Sequence, residues 1–275
     1  MGICVLGGFF MKIKLTSLFL AIIVLVGVFC GCSGGSNTTH TSAPVATDTA
    51  PTQTITSPDE TGAIIGEIPG FVQEDIMGDM ITPYEVPEKG INVVAVGTYN
   101  GAYIEEIDDV AVENVMAIVV QNTADKPVQS ATVTVASASV AEDGTETTNE
   151  HRFVVTTLPA GSSALVLEAE KKSFPATETI TDISANVTNC ESFSLNSDII
   201  SVSQDGTRMV IENLTETDYR MVLVRYKNYT AGNVYLGGIT YSATFDTVAA
   251  LESYDQEQGH FSEGNSVILK VEIVE

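Results

Sequence analysis

Tryptophan is absent from the 275 residues, histidine occurs three times, and lysine plus arginine number 12 against 36 aspartate plus glutamate. The formal net charge of −24 excludes nucleic acid and anionic membrane surfaces as direct electrostatic partners, because lysine and arginine are what hold both. With no tryptophan and 7% aromatic residues, there is no evident stacking platform for carbohydrate. His40, His151 and His260 lie far apart, without the spacing of a histidine metal site, and no glycine-rich phosphate loop occurs. The catalytic inventory is therefore empty, no metal site is specified, and the chain reads as a non-enzyme.

Cysteine is also scarce, at positions 4, 30, 32 and 190. Their placement turns attention to the most informative stretch, Met11 to Gly35. Lys12 and Lys14 form a basic head, Leu15 to Phe29 an apolar run, and Phe29-Cys30-Gly31-Cys32 follows. This is the layout of a secretory signal peptide, and the apolar run falls short of the roughly 20 residues of a spanning helix. The end of the run resembles a bacterial lipobox. That resemblance implies cleavage before Cys32 and a diacylglycerol thioether on its sulfur. Cys30 is the poorer candidate, because Phe29 is too large for the cleavage position. An ordinary released leader and an uncleaved single-span anchor are the competing readings. Two acyl chains hold firmly where one is marginal, at about 0.8 kcal/mol per buried methylene. The true start is expected at Met11, with residues 1–10 an over-extension. Loss of residues 1–31 removes Lys12 and Lys14 and no acid, so the mature chain is more acidic still. Cys190 is then the one free thiol, and a disulfide framework is excluded by arithmetic. It ends an alternating run and reads as a small buried apolar residue.

Residues 32–60 are rich in Thr, Ser and Pro, without an aromatic residue, and read as a flexible tether of roughly 30 Å reach. Residues 61–90 are transitional. A short helix over 71–80 is compatible with the pattern, while Pro69, Pro83 and Pro87 forbid a long one. From Ile91 onward the chain is β-like. Asn100-Gly101, Asp143-Gly144 and Asp205-Gly206 are hairpin-turn signals. Between Gln129 and Val140, Ala131, Val133 and Val135 alternate with Ser and Thr, the period of a half-buried strand. Further strands are expected near 112–120, 152–157, 163–169, 183–187, 198–203, 207–211, 219–228, 234–245 and 266–274. Short strands at regular spacing, with no amphipathic helix after residue 90, indicate an all-β chain of β-sandwiches.

A repeat is visible. Val119-Val120-Gln121-Asn122 resembles Val210-Ile211-Glu212-Asn213, 91 positions on, each strand ending in an Asn able to bond a turn backbone. Pro159-Ala160-Gly161-Ser162-Ser163 resembles Ser262-Glu263-Gly264-Asn265-Ser266, 103 positions on. The expectation is two tandem Ig-like sandwiches, 91–190 and 191–275. The Val-x-Asn turn and the Leu158-Pro159-Ala160-Gly161-Ser162 step resemble FxLYD-type and related Ig-like modules of exported Gram-positive proteins, although no Phe-x-Leu-Tyr-Asp string is present. The second unit, with Val224 to Asn228 and Tyr235 to Tyr241, is similar to surface lipoproteins of anaerobic Firmicutes. The resemblance spans about 91–275 and implies architecture and location; that group has no agreed activity to carry over.

The candidate recognition surface is Arg225, Lys227, Tyr229, Tyr235, Gly237 and Gly238, where scarce basic residues meet tyrosine. The competing reading buries Tyr226 and Tyr241 in the core and uses the glycines to bend a strand. The acidic runs 105–109 and 142–146 are compatible with weak, unspecific Ca²⁺ binding and lack EF-hand spacing; no cofactor is expected. The functional expectation is a lipoprotein anchored through Cys32 in the cell membrane, its folded part on the extracellular side. Its role there is non-catalytic binding, adhesion or envelope scaffolding towards an envelope or extracellular protein or glycan. The alternatives are a ligand-binding lipoprotein serving a transporter or sensor, and a hydrolase with an unrecognised site, which a cleft holding His151 or His260 beside carboxylates would favour.

Overall fold

A computed structural model describes residues 68–275, apart from 75, 78–79, 82, 103–109, 175–176, 231–233 and 262–263. The leader, Cys32, the tether and the acidic run 105–109 lie outside the described residues. The described chain is all-β. Its strands are β1 (Phe71–Gln73), β2 (Tyr84–Val86), β3 (Ile91–Ala102), β4 (Ala111–Asn122), β5 (Val128–Val140), β6 (Glu146–Leu158) and β7 (Ser163–Leu167). They continue as β8 (Thr179–Asn189), β9 (Ile200–Asp205), β10 (Arg208–Asn213), β11 (Tyr219–Tyr229), β12 (Val234–Val248), β13 (Ser253–Glu257) and β14 (Ser266–Val274). Pro87–Lys89 forms a single 3-10 turn.

Alternation builds these strands. On β5, Ala131, Val133 and Val135 are buried, and their neighbours on the other face are more exposed. They meet Phe153 and Val155 of β6, Ile180 and Ile183 of β8, and Met116, Ile118 and Val120 of β4 in one apolar cluster. A second cluster joins Ile200 of β9 and Met209 and Ile211 of β10 to Val222 and Val224 of β11 and Phe245 of β12. Each fully buried aliphatic or aromatic side chain contributes roughly 1.5–3 kcal/mol, so these clusters outweigh the exposed ion pairs Lys126–Glu191 and Lys172–Glu170.

Strands β9 to β14 repeat the pairings of β3 to β8. In the first run β3-β4-β7 are neighbours and β6-β5-β8 form a separate sheet; in the second, β9-β10-β13 are separate and β12-β11-β14 are neighbours. The two runs are not separate at their edges. β7 pairs in parallel with β12, Ser163 opposite Val234 and Leu165 opposite Leu236, so one eight-stranded sheet contains strands of both.

The buried asparagines tie each run together at the same place. Asn122 Nδ2 donates to the carbonyls of Lys126 (2.9 Å), Leu158 (3.3 Å) and Pro159 (3.1 Å), and its Oδ1 accepts from Ala124 N (3.1 Å). Asn213 Nδ2 donates to Thr217 O (2.8 Å) and Ala249 O (3.0 Å), and its Oδ1 accepts from Thr215 N (3.0 Å) and Thr215 Oγ1 (2.9 Å). One amide thus closes the turn after its own strand and clamps the end of a strand in the facing sheet.

Several expectations need correction. Phe71–Gln73 is a strand laid antiparallel on Gly97–Tyr99, in place of a helix over 71–80; the flanking Pro-Gly turn delivers it to the free edge of β3. Asn100-Gly101 does not turn the chain. It lies inside β3, where the register with β4 slips between Tyr99 and Gly101, and Asn100 Oδ1 accepts from Asn114 N (2.8 Å). Asp143-Gly144 does turn it, with Gly144 at φ 81° and Thr145 N on Asp143 Oδ1 (2.9 Å). The match of Pro159–Ser163 to Ser262–Ser266 joins unlike strands. Ser162 O accepts from Asn122 N as Glu252 O accepts from Asn213 N, so the true counterpart is Ala249–Ser253, 90 positions on.

Replacing Asn122 or Asn213 with Ala strands buried carbonyls and amides in either run. Each substitution is expected to cost about 2–4 kcal/mol in urea unfolding. Equal losses check the equivalence of the two positions.

Candidate functional site

Two buried polar arrangements stand out. The first closes one end of the apolar cluster of β5, β6 and β8. The inward positions of β5 run Ala131, Val133, Val135 and then Ser137; those of β6 run Phe153, then His151, with His151 opposite Val135 and Asn149 opposite Ser137. Glu178 arrives just before β8. Ser137 Oγ donates to Glu178 Oε2 (2.5 Å), Asn149 Nδ2 donates to Glu178 Oε1 (2.7 Å), and His151 Nε2 lies 3.2 Å from both Glu178 Oε2 and Ser137 Oγ.

These residue types invite a hydrolytic reading, and the geometry opposes it. A serine relay needs the imidazole to face the hydroxyl with one nitrogen and the carboxylate with the other. Here hydroxyl and carboxylate share Nε2, while Nδ1 is buried with no hydrogen-bond partner among the described residues and the ring tilts against Phe174 (centroids 5.6 Å apart). Ser137, His151 and Glu178 are 0%, 2% and 5% exposed, so no substrate reaches the hydroxyl. The cluster serves a buried carboxylate with hydrogen-bond donors, as burial requires. His260 is elsewhere: it stacks on Tyr241 (4.5 Å, 9°), and Asn228 Nδ2 donates to its carbonyl (2.7 Å).

The second arrangement occupies the segment expected to be a recognition surface. Tyr226 pairs with Tyr241 and Asn228 with Leu236, so two steps on β11 face five on β12. The surplus residues leave the ladder, and their carbonyls need donors. Lys227 supplies them: its Nζ donates to the carbonyls of Gly237 (3.1 Å), Gly238 (2.8 Å) and Ile239 (2.6 Å). Gly238 is sterically required, since a Cβ there would sit 1.8 Å from Val154 O of β6.

Half of the residues expected at the recognition surface are buried by this arrangement. Lys227 is 0% exposed and Gly237 and Gly238 are buried, so none of the three is offered to a partner. Tyr235 is half-buried against the first apolar cluster and lies opposite Tyr229 across the β11/β12 pair. Burial, then the neighbouring Tyr229, raises the Tyr235 phenol above its ordinary pKa. Arg225 is half-buried and pairs with Glu272 (3.0 Å), which Lys270 also contacts (2.8 Å). Burial would lift the Glu272 carboxyl, but hydrogen bonds from Arg225 and Lys270 outweigh it and hold the group below the usual range. Tyr226 and Tyr241 belong to the second apolar cluster, and burial pushes the Tyr226 phenol up to about 12.

Lys227, Gly237 and Gly238 of the expected surface thus belong to a seam of the fold, while Arg225, Tyr229 and Tyr235 lie half-buried beside it. Ser137 and Glu178 carried no local signal, being 41 residues apart; a Ser at an inward strand position was the available hint. Cys190 is half-buried, with its thiol 3.9 Å from Pro127 O. No family model matches this chain, and no curated protein matches it.

Replacing Lys227 with Met keeps much of the side-chain volume and removes the donors. Chemical denaturation is expected to show a loss of about 2–4 kcal/mol, with the unfolding slope unchanged. A neutral result would mean that the three carbonyls find other partners.

Proposed function

We propose that this chain is an exported lipoprotein, held on the extracellular side of the cell membrane by lipid on Cys32, which presents tandem Ig-like β-sandwiches for non-catalytic binding or scaffolding. The observation that carries the anchor is the run from Lys12 to Cys32: basic head, apolar segment, then Gly31-Cys32. The tandem reading draws on strand pairing. Each run has its first, second and fifth strands in one sheet and its fourth, third and sixth in the other. That is the A-B-E and C′-C-F order of the Ig-type sandwich, without the last strand. The non-catalytic reading draws on the burial of the Ser137–His151–Glu178 cluster and of Lys227, the groups best suited to chemistry.

In this reading the Thr/Ser-rich tether lifts the β part from the bilayer, and the acidic surface keeps it soluble beside anionic envelope polymers. Replacing Cys32 with Ala is expected to move the protein from the membrane fraction to the soluble fraction and to abolish incorporation of labelled lipid. Undiminished membrane association with lipid label still present would contradict the anchor.

A further inference from the structure

The two runs supply an internal comparison at one loop. In the first, Gly161 follows β6 with φ 69° and donates its N–H to Asn122 O (3.0 Å). In the second, the equivalent position is Leu251, with φ 58° and its N–H on Thr215 O (3.0 Å). A bulky side chain is strained in this left-handed region, where glycine is at ease. The partner of that N–H differs, but the turn itself does not need the leucine: the first run closes it with Ser162 N on Pro159 O, as the second does with Glu252 N on Ala249 O. Nor does the side chain contribute to a core: Leu251 is 63% exposed. The adjacent loop carries Leu214, 43% exposed, at the position that holds Thr123 in the first run.

The strained loop is rigidly held. Ala249 N donates to the Tyr254 hydroxyl (2.9 Å), Ala250 N to Asp218 Oδ1 (2.8 Å), and Ala249 O accepts from Asn213 Nδ2 (3.0 Å). Around the two leucines, Glu216, Asp218 and Glu252 are exposed, and neither loop, 214–218 or 249–252, contains a lysine or arginine. Strain maintained for an exposed apolar side chain on a fixed support, with three carboxylates around it against one exposed base, Arg220 at the start of β11, is the layout of an interaction site.

We infer that Leu214 and Leu251 form a docking tip for a protein partner whose surface offers an apolar socket bordered by lysine or arginine. The carboxylates steer such a partner and repel an anionic bilayer. The inference rests on the binding role proposed above and names its surface.

The test uses the full-length lipoprotein on intact cells. A photoreactive phenylalanine replaces exposed Thr217 in the adjacent loop, and in a second strain exposed Val140, at the far end of β5. The expected result is a protein adduct from position 217 whose crosslinked peptide is rich in lysine or arginine. Its yield should fall at least tenfold in Leu251→Asn and in the Glu216→Lys, Glu252→Lys double variant. Leu251→Asn should also hold or raise the melting temperature, by up to about 4 °C, since asparagine tolerates this backbone. A lowered melting temperature would make Leu251 a folding residue and overturn the inference. So would an unchanged adduct yield in Leu251→Asn, or an adduct to lipid. Adducts from position 140 and none from 217 would overturn the tip and leave the binding role standing; none from either position would count against both.

Discussion

Three residues of parallel pairing, Ser163 to Leu165 against Val234 to Leu236, hold the two runs of strands in one sheet. The long bulge of the second run lies next to that contact. At Tyr235 and Leu236, β12 pairs with β7 on one side and β11 on the other; it then leaves the β11 ladder and regains it at Tyr241, passing close to β6 on the way. Gly238 allows the close approach to Val154 O, and Thr156 and Thr240 bond across the contact (2.9 Å). The shift in path strands the carbonyls of residues 237–239, and the Lys227 ammonium is drawn inward to satisfy them. A buried lysine, a glycine pair and a long bulge are thus one solution to one geometric demand.

The chemistry-bearing side chains are unavailable for two separate reasons. With few basic residues in the chain, one is consumed inside the junction and another, Arg225, is tied to Glu272. The Ser137, His151 and Glu178 group is closed off independently of the junction, as the polar end of the apolar layer of β5, β6 and β8. In the reading proposed above, binding falls to loops at the ends of strands, where sheets support exposed side chains.

Much of the fold was legible because strand alternation is local. Ala131, Val133 and Val135 declare their face, and β14 is delimited by its own Ser266-to-Val274 pattern. The asparagine clamps were legible for a different reason: the turn each one closes lies within four residues, so Asn122 and Asn213 stand in similar local sequence. β13 was missed because Ser253-Tyr254-Asp255-Gln256-Glu257 has one apolar ring among polar residues and is a strand only by pairing with β10. Asn100-Gly101 looked like a turn, but whether such a pair turns or bulges depends on how far β4 continues opposite it. Lys227 looked like surface because charge is costly to bury. The carbonyls that stabilise it come from residues 10 to 12 positions away, brought together by a bulge that no local pattern announces.

If the junction makes both runs one cooperative unit, damage far from it in one must be felt in the other. Ile211 is fully buried on β10, in a sheet that contains no strand of the first run. Hydrogen exchange of the whole protein carrying Ile211→Ala is therefore the most direct measurement. The junction predicts that the slowest amides of β4 and β5 lose protection by the same factor as those of β11. Loss confined to β9 to β14, with β4 and β5 unchanged, would contradict it.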